Sequence, residues 1–500
     1  MGQVVLGLQA DVSGANMGGT FTCLQPAHNV PGASSQFMGG AFGATCQAEP
    51  DWFGTLTGRV GVAVGPQGRI LLYGKGGLAW AHTAIDMAID NGQAGAYGPD
   101  NARSKTNFTQ LGGTLGAGVE YALSGRWSVG LEYDYLRFGN HDVPTPASGP
   151  FANSGFQGIN GSIAPDGTPA SVSQDVHAVK LAINYQLGDR GSPEPEITKS
   201  SVAAARTPGF ETELGGRYVY AWTRFQQDLG NPPLALPVNN SRLTWKDQRT
   251  NGGELFGRVD TPENVMVKGF IGLGKGDQGH IYDEDWGNVF PSSPPPTEVN
   301  GYQVTESPTT SKIRYFTLDL GYDWLRGAGY KVASYGGYNY FEYTMSAFGC
   351  TFLQFVPPQT CQPGDPPRKL FLQEEDTWIS WRLGTSAELM LTPWLKLSGD
   401  VAYLPIVHFG GVDNHPQRTD GPSTRSPAEG HGTGVQVEGV ISYDVTSAFS
   451  LGVGGRYWSM QIPSGTTNFF SGNNFINQRF AAELTAVFVQ GSYKFAGPFD

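Results

Sequence analysis

The 500-residue sequence lacks long hydrophobic runs, contains few charged residues and has only four cysteines. No segment reaches the roughly 18 consecutive apolar residues that a membrane-spanning helix needs, and the mean hydropathy is -0.27. Charged residues make up 15% of the chain, against 12% aromatic residues and 71 glycines. Because this composition is poor in helix formers and suits strands and tight turns, a helical fold is not expected.

Basic residues are too few and too scattered to bind nucleic acid. The formal net charge is -12, and no stripe of Lys and Arg follows any segment. Since nucleic acid binding requires neutralised phosphates, we expect no nucleic acid partner.

The four cysteines fall into two local pairs, Cys23 with Cys46 and Cys350 with Cys361. Both pairs lie in loop-like stretches, and two disulfides in an oxidising compartment fit this spacing better than free thiols. Free thiols are the alternative, because proximity in sequence does not fix disulfide geometry. The chain opens without a signal peptide, which for an exported protein predicts a truncated or mis-started N-terminus.

Several segments alternate apolar and polar residues with a period of two, the pattern of a strand with two different faces. At 179–187 the odd-numbered residues are Val, Leu, Ile, Tyr and Leu, while Lys, Ala, Asn and Gln lie between them. The segments 129–135 and 379–389 follow the same pattern, with charges on the polar face. Soluble sandwiches also alternate, but the many Tyr and Trp near strand ends favour a membrane barrel with a polar lumen.

Alternation stops between roughly 188 and 209, in a stretch rich in Pro, Ser and charged residues. We interpret 188–209 as a linker between a barrel-like unit at 1–187 and a second unit at 210–500. About six strands precede the linker, at roughly 3–13, 51–65, 69–82, 110–122, 127–138 and 177–187. About ten follow it, at roughly 210–225, 241–260, 264–276, 311–325, 330–345, 376–390, 395–409, 434–445, 449–461 and 482–495.

The predicted fold class is therefore all-β, with two antiparallel up-and-down transmembrane β-barrels. The six visible strands of the first are fewer than the usual minimum of eight. In the second, tight turns at 261–264, 326–329, 392–394 and 446–448 alternate with long connections. The long connections all emerge at one rim, which we predict to be extracellular, in the bacterial outer membrane.

The first unit resembles a known family through Gly- and aromatic-rich hairpins. These are Asp51-Trp52-Phe53-Gly54, Gly58-Arg59-Val60-Gly61, the segment 72–79 and the segment 131–135. Over about residues 1–190 the chain is similar to the alphaproteobacterial outer-membrane immunogenic porins, opacity-like barrels of eight strands. The resemblance implies that two N-terminal strands are absent.

Two acidic motifs occupy the long connections after the third and seventh strands of the second unit. Asp283 and Asp285 are spaced i, i+2, so on extended backbone they point the same way and can share a proton or hold a water. Asp413 and His415 have the same spacing, which lets the carboxylate orient the imidazole as a general base. The third and seventh strands lie nearly opposite in a ten-stranded barrel, so we expect a cleft lined by carboxylates at the rim.

These motifs resemble the omptin family of outer-membrane endopeptidases over about residues 208–495. The matching residues are Asp283, Asp285 and Trp286, then Asp413 and His415, and upstream Ser241, Leu243, Trp245 and Lys246. The resemblance implies an aspartic-type endopeptidase, in which a water held between the dyad and the acidic pair attacks the peptide carbonyl without a covalent intermediate. It implies peptide or protein substrates, no metal or other cofactor, and contact with outer-membrane lipid and lipopolysaccharide, which activity can require.

The chain also departs from the omptin pattern. Gly411 stands where the family carries an Asp two positions before the dyad, and the upstream pocket Glu has no evident counterpart ahead of Ser241. Since omptins cut beside basic residues using an acidic pocket, the cleavage specificity stays open. Two alternatives remain: a metal site formed by His280, Asp283, Asp285 and His415, and a noncatalytic barrel used for adhesion, immune exposure or small-solute passage.

Overall fold

The structure, a computed structural model, consists almost entirely of antiparallel strands. It describes residues 3–15, 17–24, 43–64, 68–90, 103–122, 126–144, 169–187, 209–230, 239–285, 303–327, 329–353, 359–360, 369–417, 424–470 and 474–496. Among these residues there is no helix long and apolar enough to cross a membrane. Apart from residue 209, the predicted linker lies outside the described residues.

The N-terminal unit is one antiparallel sheet with a small two-stranded addition. Its strands are β1 (Gln3–Gly14), β2 (Gly19–Leu24), β3 (Gly43–Val64), β4 (Ile70–Asp90), β5 (Arg103–Ala122), β6 (Trp127–Phe138), β7 (His141–Pro144), β8 (Pro169–Val172) and β9 (Asp175–Tyr185). The order is β1-β3-β4-β5-β6-β9, β2 pairs with β3, and β7 pairs with β8. The six predicted strands are all present, and the three short ones are additional.

This sheet curls around a charged interior. Lys180 on β9 lies 3.6 Å from Asp11 on β1, so the two edge strands approach each other, although the described residues form no β1–β9 ladder. The Nζ of Lys75 is fully buried, 2.7 Å from Glu132 and 3.0 Å from Asp134. The interior carboxylates of this unit therefore face lysines.

The C-terminal unit is a closed barrel of ten long strands. Its strands are β10 (Glu211–Gly230), β11 (Asn239–Asp260), β12 (Val265–Asp285), β13 (Gln303–Gly327), β14 (Tyr330–Phe348), β15 (Thr351–Phe352), β16 (Gln359–Thr360), β17 (Leu370–Thr392), β18 (Leu395–Asn414), β19 (Arg425–Asp444), β20 (Phe449–Phe470) and β21 (Asn474–Ala496). The order is β12-β11-β10-β21-β20-β19-β18-β17-β14-β13, and the β12–β13 pairing closes the ring. The predicted number of ten strands is confirmed.

The tight turns lie where the sequence predicts them. In the turn between β11 and β12, the backbone N–H of Thr261 donates to the carbonyl of Val265 at 2.8 Å. Asn264 adopts a φ of 66°, a left-handed conformation that Asn tolerates better than most residues. Turn chemistry thus fixes the register from which both strands extend.

The opposite ends of the strands extend much further than predicted. The strand β12 continues to Asp285 and β18 continues to Asn414. The prediction that Asp283 and Asp413 lie in loops was therefore wrong, because both lie on strand ends, while His415 directly follows β18. Alternation disappears there because outward residues such as Glu284 on β12 and Asn414 on β18 are polar, although the hydrogen-bonded ladder continues.

A belt of exposed apolar side chains surrounds both units, as the membrane interpretation predicts. In the barrel it includes Leu214, Trp222, Ile271, Leu318, Trp381, Leu383, Val453, Val487 and Tyr493. Below the mouth the barrel interior carries ion pairs, among them Arg456 with Glu254 at 2.7 Å and Arg382 with Asp319 at 3.2 Å. An apolar exterior and a polar, filled interior are typical of a membrane barrel.

Cys46 and Cys350 are both disulfide-bonded, as the sequence predicts. The side chain of Cys23 and the whole of Cys361, their predicted partners, lie outside the described residues.

Candidate active site at the barrel mouth

The end of β18 brings Asp413 and His415 together. Phe409 and Asp413 share the inward face of the strand, and both are buried. The Nδ1 of His415 lies 3.2 Å from the Oδ1 of Asp413, with side-chain exposures of 16% and 4%. The two predicted residues thus lie side by side, without a hydrogen bond between these two atoms: Asp413 is enclosed, and the imidazole beside it still reaches solvent.

The end of β12 carries the acidic pair. Asp283 is paired in register with Leu243 of β11, whose side chain is buried in the barrel, so position 283 lies on the inward face. Position 285 shares that face because it is two residues further along the strand. The side chain of Asp285 and all of Trp286 lie outside the described residues.

A glutamine side chain forms a hydrogen bond across the lumen, between strands close to those that carry the two motifs. Gln227 on β10 is the register partner of Leu243, which is the partner of Asp283. The Nε2 of Gln227 donates to the Oε2 of Glu374 on β17 at 3.4 Å, and Glu374 is the register partner of Asp413. Position 283 therefore lies two strands from one end of this bridge, and position 413 lies one strand from the other end.

Two further carboxyls, which the sequence interpretation missed, lie beside the dyad. Glu374 and Asp376 point inward from β17 with 0% and 1% exposure, opposite Asp413 and Gly411. One oxygen of Asp376 lies only 2.6 Å from the position that a Cβ on residue 411 would take. The space that a side chain on residue 411 would occupy is thus taken by a carboxyl from the adjacent strand.

A signal for these residues exists in the sequence. Glu374 lies 18 positions before Thr392 and Asp413 lies 18 positions after Leu395, the residues that pair next to the tight turn. Counting outward from that turn, rather than stopping where alternation ends, predicts that 374 faces 413.

The two acids lie outside the membrane-facing part of β17, since the exposed belt residue Trp381 is five positions below Asp376. Burial, reinforced by the neighbouring Asp376 and Asp413, raises the pKa of Glu374 well above its usual range. Burial likewise raises the pKa of Asp376, with a further contribution from Asp413. Among the described residues no basic side chain forms a salt bridge with Glu374 or Asp376, so the mouth favours protonated or proton-sharing carboxyls.

An aromatic layer fills the lumen directly beneath the acids. Trp378 packs on Phe409 with ring centroids 4.6 Å apart, and Phe409 packs on Phe480 at 4.3 Å. Phe225 and Trp245 are also completely buried in this cluster. The layer separates the acidic mouth from the ion pairs below it.

The matches upstream of the acidic pair have structural roles. Leu243 and Trp245 point inward and belong to the barrel core. Lys246 is exposed. This motif thus contributes packing beneath Asp283.

The ligand set proposed for a metal is not assembled. His280 is an odd number of positions from Asp283 and so lies on the other face of β12, where its Nδ1 is 2.9 Å from Glu306. Within the described ranges, no group of three or more His, Cys, Asp or Glu side chains has the geometry to hold a metal ion.

Known proteins resemble the two units differently. A family model described as outer membrane protein beta-barrel domain matches residues 9–160. The 31 kDa outer-membrane immunogenic proteins of Brucella melitensis biotype 1 and Brucella suis biovar 1 are each 28% identical over 142 residues, covering 28% of this chain and 49% of the relative. The chain thus spans about half the length of these curated relatives.

Among solved structures, the outer membrane protease OmpT from Escherichia coli is 13% identical, with a TM-score of 0.45, over 58% of this chain and 99% of that chain. The family model, the curated relatives and the apolar belt locate this protein in the bacterial outer membrane as a β-barrel protein. The match to the family model falls on the N-terminal unit, whereas the acidic mouth belongs to the C-terminal unit.

Proposed function

We propose that the C-terminal barrel is an outer-membrane endopeptidase, which hydrolyses peptide bonds with a water activated between the Asp413–His415 dyad and the pair Asp283 and Asp285. The observation that carries the proposal is the 3.2 Å contact between His415 and the enclosed Asp413 at the mouth of a filled barrel. An imidazole beside an enclosed carboxyl group can act as a general base when the two form a hydrogen bond in the complex with substrate.

In this mechanism Nδ1–H of His415 donates to Asp413 once substrate is bound, which leaves Nε2 to take a proton from water. Asp413 stabilises the imidazolium that forms. The carboxylates at 283 and 285 accept a hydrogen bond from the same water from the opposite wall, which orients it for attack. The hydroxide attacks the peptide carbonyl, the proton passes from His415 to the departing amine, and no bond to the protein forms.

Cleavage of a diverse peptide library by the full-length protein, refolded with lipopolysaccharide, tests the proposal. His415→Ala is expected to lower kcat by about 10²–10⁴-fold, the usual contribution of a general base. His408→Ala is the matched control, because His408 lies on the same strand with its ring exposed beside His431. Equal rates for wild type and His415→Ala would overturn the mechanism, and the sequences cut would define the specificity that Gly411 leaves open.

A noncatalytic surface barrel is the second candidate, and two findings favour it: the match of residues 9–160 to the outer membrane beta-barrel family model and the similarity of the chain to outer-membrane immunogenic proteins. Small-solute passage through the C-terminal barrel has less support, because the aromatic layer fills that lumen. If folded wild-type protein with lipopolysaccharide cuts no peptide in the library, the surface role replaces the peptidase.

A further inference from the structure

The β2–β3 strand pair of the N-terminal unit lies against the outer wall of the ten-stranded barrel. Thr22 is opposite Thr45 and Thr20 is opposite Gln47, so these four polar side chains share one face of the pair. On the other face, Cys46 packs into an apolar cluster of the N-terminal unit. The strand pair therefore has an apolar face toward its own unit and a hydroxyl-rich face toward the barrel.

The barrel meets this face with a row of charges on three consecutive strands. Asp228 on β10 pairs in register with Arg242 on β11, which pairs with Glu284 on β12. These positions point outward, since their neighbours Leu243 and Asp283 lie on the inward face. The Nε of Arg242 lies 2.7 Å from Asp228, and both side chains are buried beneath the strand pair.

Thr22 joins the guanidinium to the acidic end of β12. Its hydroxyl accepts a hydrogen bond from Nη1 of Arg242 at 2.6 Å and donates one to Oε1 of Glu284 at 3.0 Å. This uses both capacities of a hydroxyl, which is one donor and an acceptor. The second guanidinium nitrogen donates to Thr45 at 3.1 Å.

Other bonds hold the same interface on the β10 and β21 side of Thr22. Thr20 donates to Asp228 and accepts from Nε2 of Gln226 at 2.9 Å. Arg479 on β21 donates to Gln47 at 2.7 Å. The contact thus crosses four adjacent barrel strands near the mouth.

Glu284 is the residue between Asp283 and Asp285, and it is the one held from outside. We propose that the β2–β3 pair is a positioning element for the acidic strand end, with Thr22 acting through Glu284. The physical reason is that alternate residues of one strand move together, so an anchor on the outward face orients the inward face. A strand end that projects beyond the membrane without such an anchor opens easily.

This inference rests on the proposed peptidase, but its first readout is independent of cleavage. In full-length protein in lipopolysaccharide-containing vesicles, Thr22→Val removes the hydroxyl and keeps the side-chain shape. Because it removes one hydrogen bond from the buried Arg242 and one from Glu284, amide hydrogen exchange at 281–285 is expected to become about ten-fold faster. In the same variant, kcat is expected to fall several-fold while KM changes little.

Thr22→Ser restores the hydroxyl and is expected to restore both readouts. Thr109→Val is the matched control, because Thr109 is exposed on β5 of the same unit. Unchanged exchange in Thr22→Val would overturn the anchor, and faster exchange with full cleavage would overturn its positioning role. A wild-type protein that cuts nothing overturns the peptidase, whereas the exchange result still decides whether Thr22 holds the strand end.

Discussion

The interiors of the two units both contain several carboxyls, but their surroundings differ. In the N-terminal sheet, Glu132 and Asp134 face the buried Lys75, and Lys180 also reaches Asp134 at 2.7 Å. At the mouth of the barrel, Glu374 and Asp376 adjoin Asp413, and among the described residues the nearest basic partner of this group is His415. In the first arrangement the lysines balance the buried charge and stabilise the fold. In the second, burial disfavours the ionised form of the carboxyls, and no lysine or arginine compensates for it among the described residues.

This comparison shows which buried charges indicate function. Balanced ion pairs are explained by their structural role, because they fill a polar lumen. Burial and like-charged neighbours both disfavour the ionised form of a carboxyl, so a structural role does not explain a group of such residues. Groups with pKa values perturbed in this way are concentrated at functional sites. The mouth of the C-terminal barrel is therefore where chemistry is expected, and the curled N-terminal interior is not.

Removing the cation from the N-terminal interior is expected to give the largest effect. Lys75→Met leaves Glu132 and Asp134 short of one buried partner, so the free energy of unfolding of this unit should fall by about 3–5 kcal/mol. Denaturant unfolding in lipid vesicles measures it, with exposed Lys105→Met as the control. A loss no larger than in the control would remove the contrast between the two interiors.

A smaller loss is expected where the mouth is tightly packed. In Gly411→Ala the new Cβ would lie 2.6 Å from Asp376 and 2.7 Å from the ring of Phe409, so unfolding free energy should fall by about 1–3 kcal/mol. Gly410→Ala on the adjacent, open position has no heavy atom within 4 Å and should change little. Equal stabilities of the two variants would contradict the packing of Asp376 against residue 411.

The stability of the protein is expected to change gradually with pH. Because the pKa values of Glu374 and Asp376 are raised, the folded state keeps protons that the unfolded state releases above about pH 4.5. Stability should therefore fall as pH rises, by up to about 1.4 kcal/mol per pH unit for each group, until the folded-state pKa is passed. The double variant Glu374→Gln/Asp376→Asn should flatten this slope in unfolding curves from pH 5 to 8.

Glu375→Gln is the control for that series, since Glu375 lies between the two acids but is exposed. A slope that survives in the double variant, or disappears in Glu375→Gln, would mean that the buried pair is not its source.

Alternation in the sequence predicted the membrane-crossing parts of the barrel because lipid outside and charge inside impose a period of two. The strand predicted at 330–345 lies within β14, which spans Tyr330–Phe348. Above the belt both faces meet polar surroundings, so β12 and β18 appeared to end before Asp283 and Asp413. The dyad was still predicted, because Asp413 and His415 are close in sequence and their spacing alone brings them together.

Contacts between distant segments were not predictable from periodicity. Glu374 faces Asp413 only through the register of two long strands, and Thr22 meets Glu284 across 262 positions of sequence. The short β2 was missed for the same reason. Its threonines face charged residues of the other unit, and such a contact leaves no apolar–polar alternation in the sequence. No local sequence pattern indicates the open edge of the sheet at β9 or the position of β2 against the barrel.

The aromatic layer of Phe225, Trp378, Phe409 and Phe480 gives the barrel a sidedness. Whatever reaches His415 must arrive from the rim and depart by the same opening, since the lumen offers no passage through that level. The solvent-accessible histidine and the ion-paired lumen beneath the rings are therefore separate compartments of one barrel.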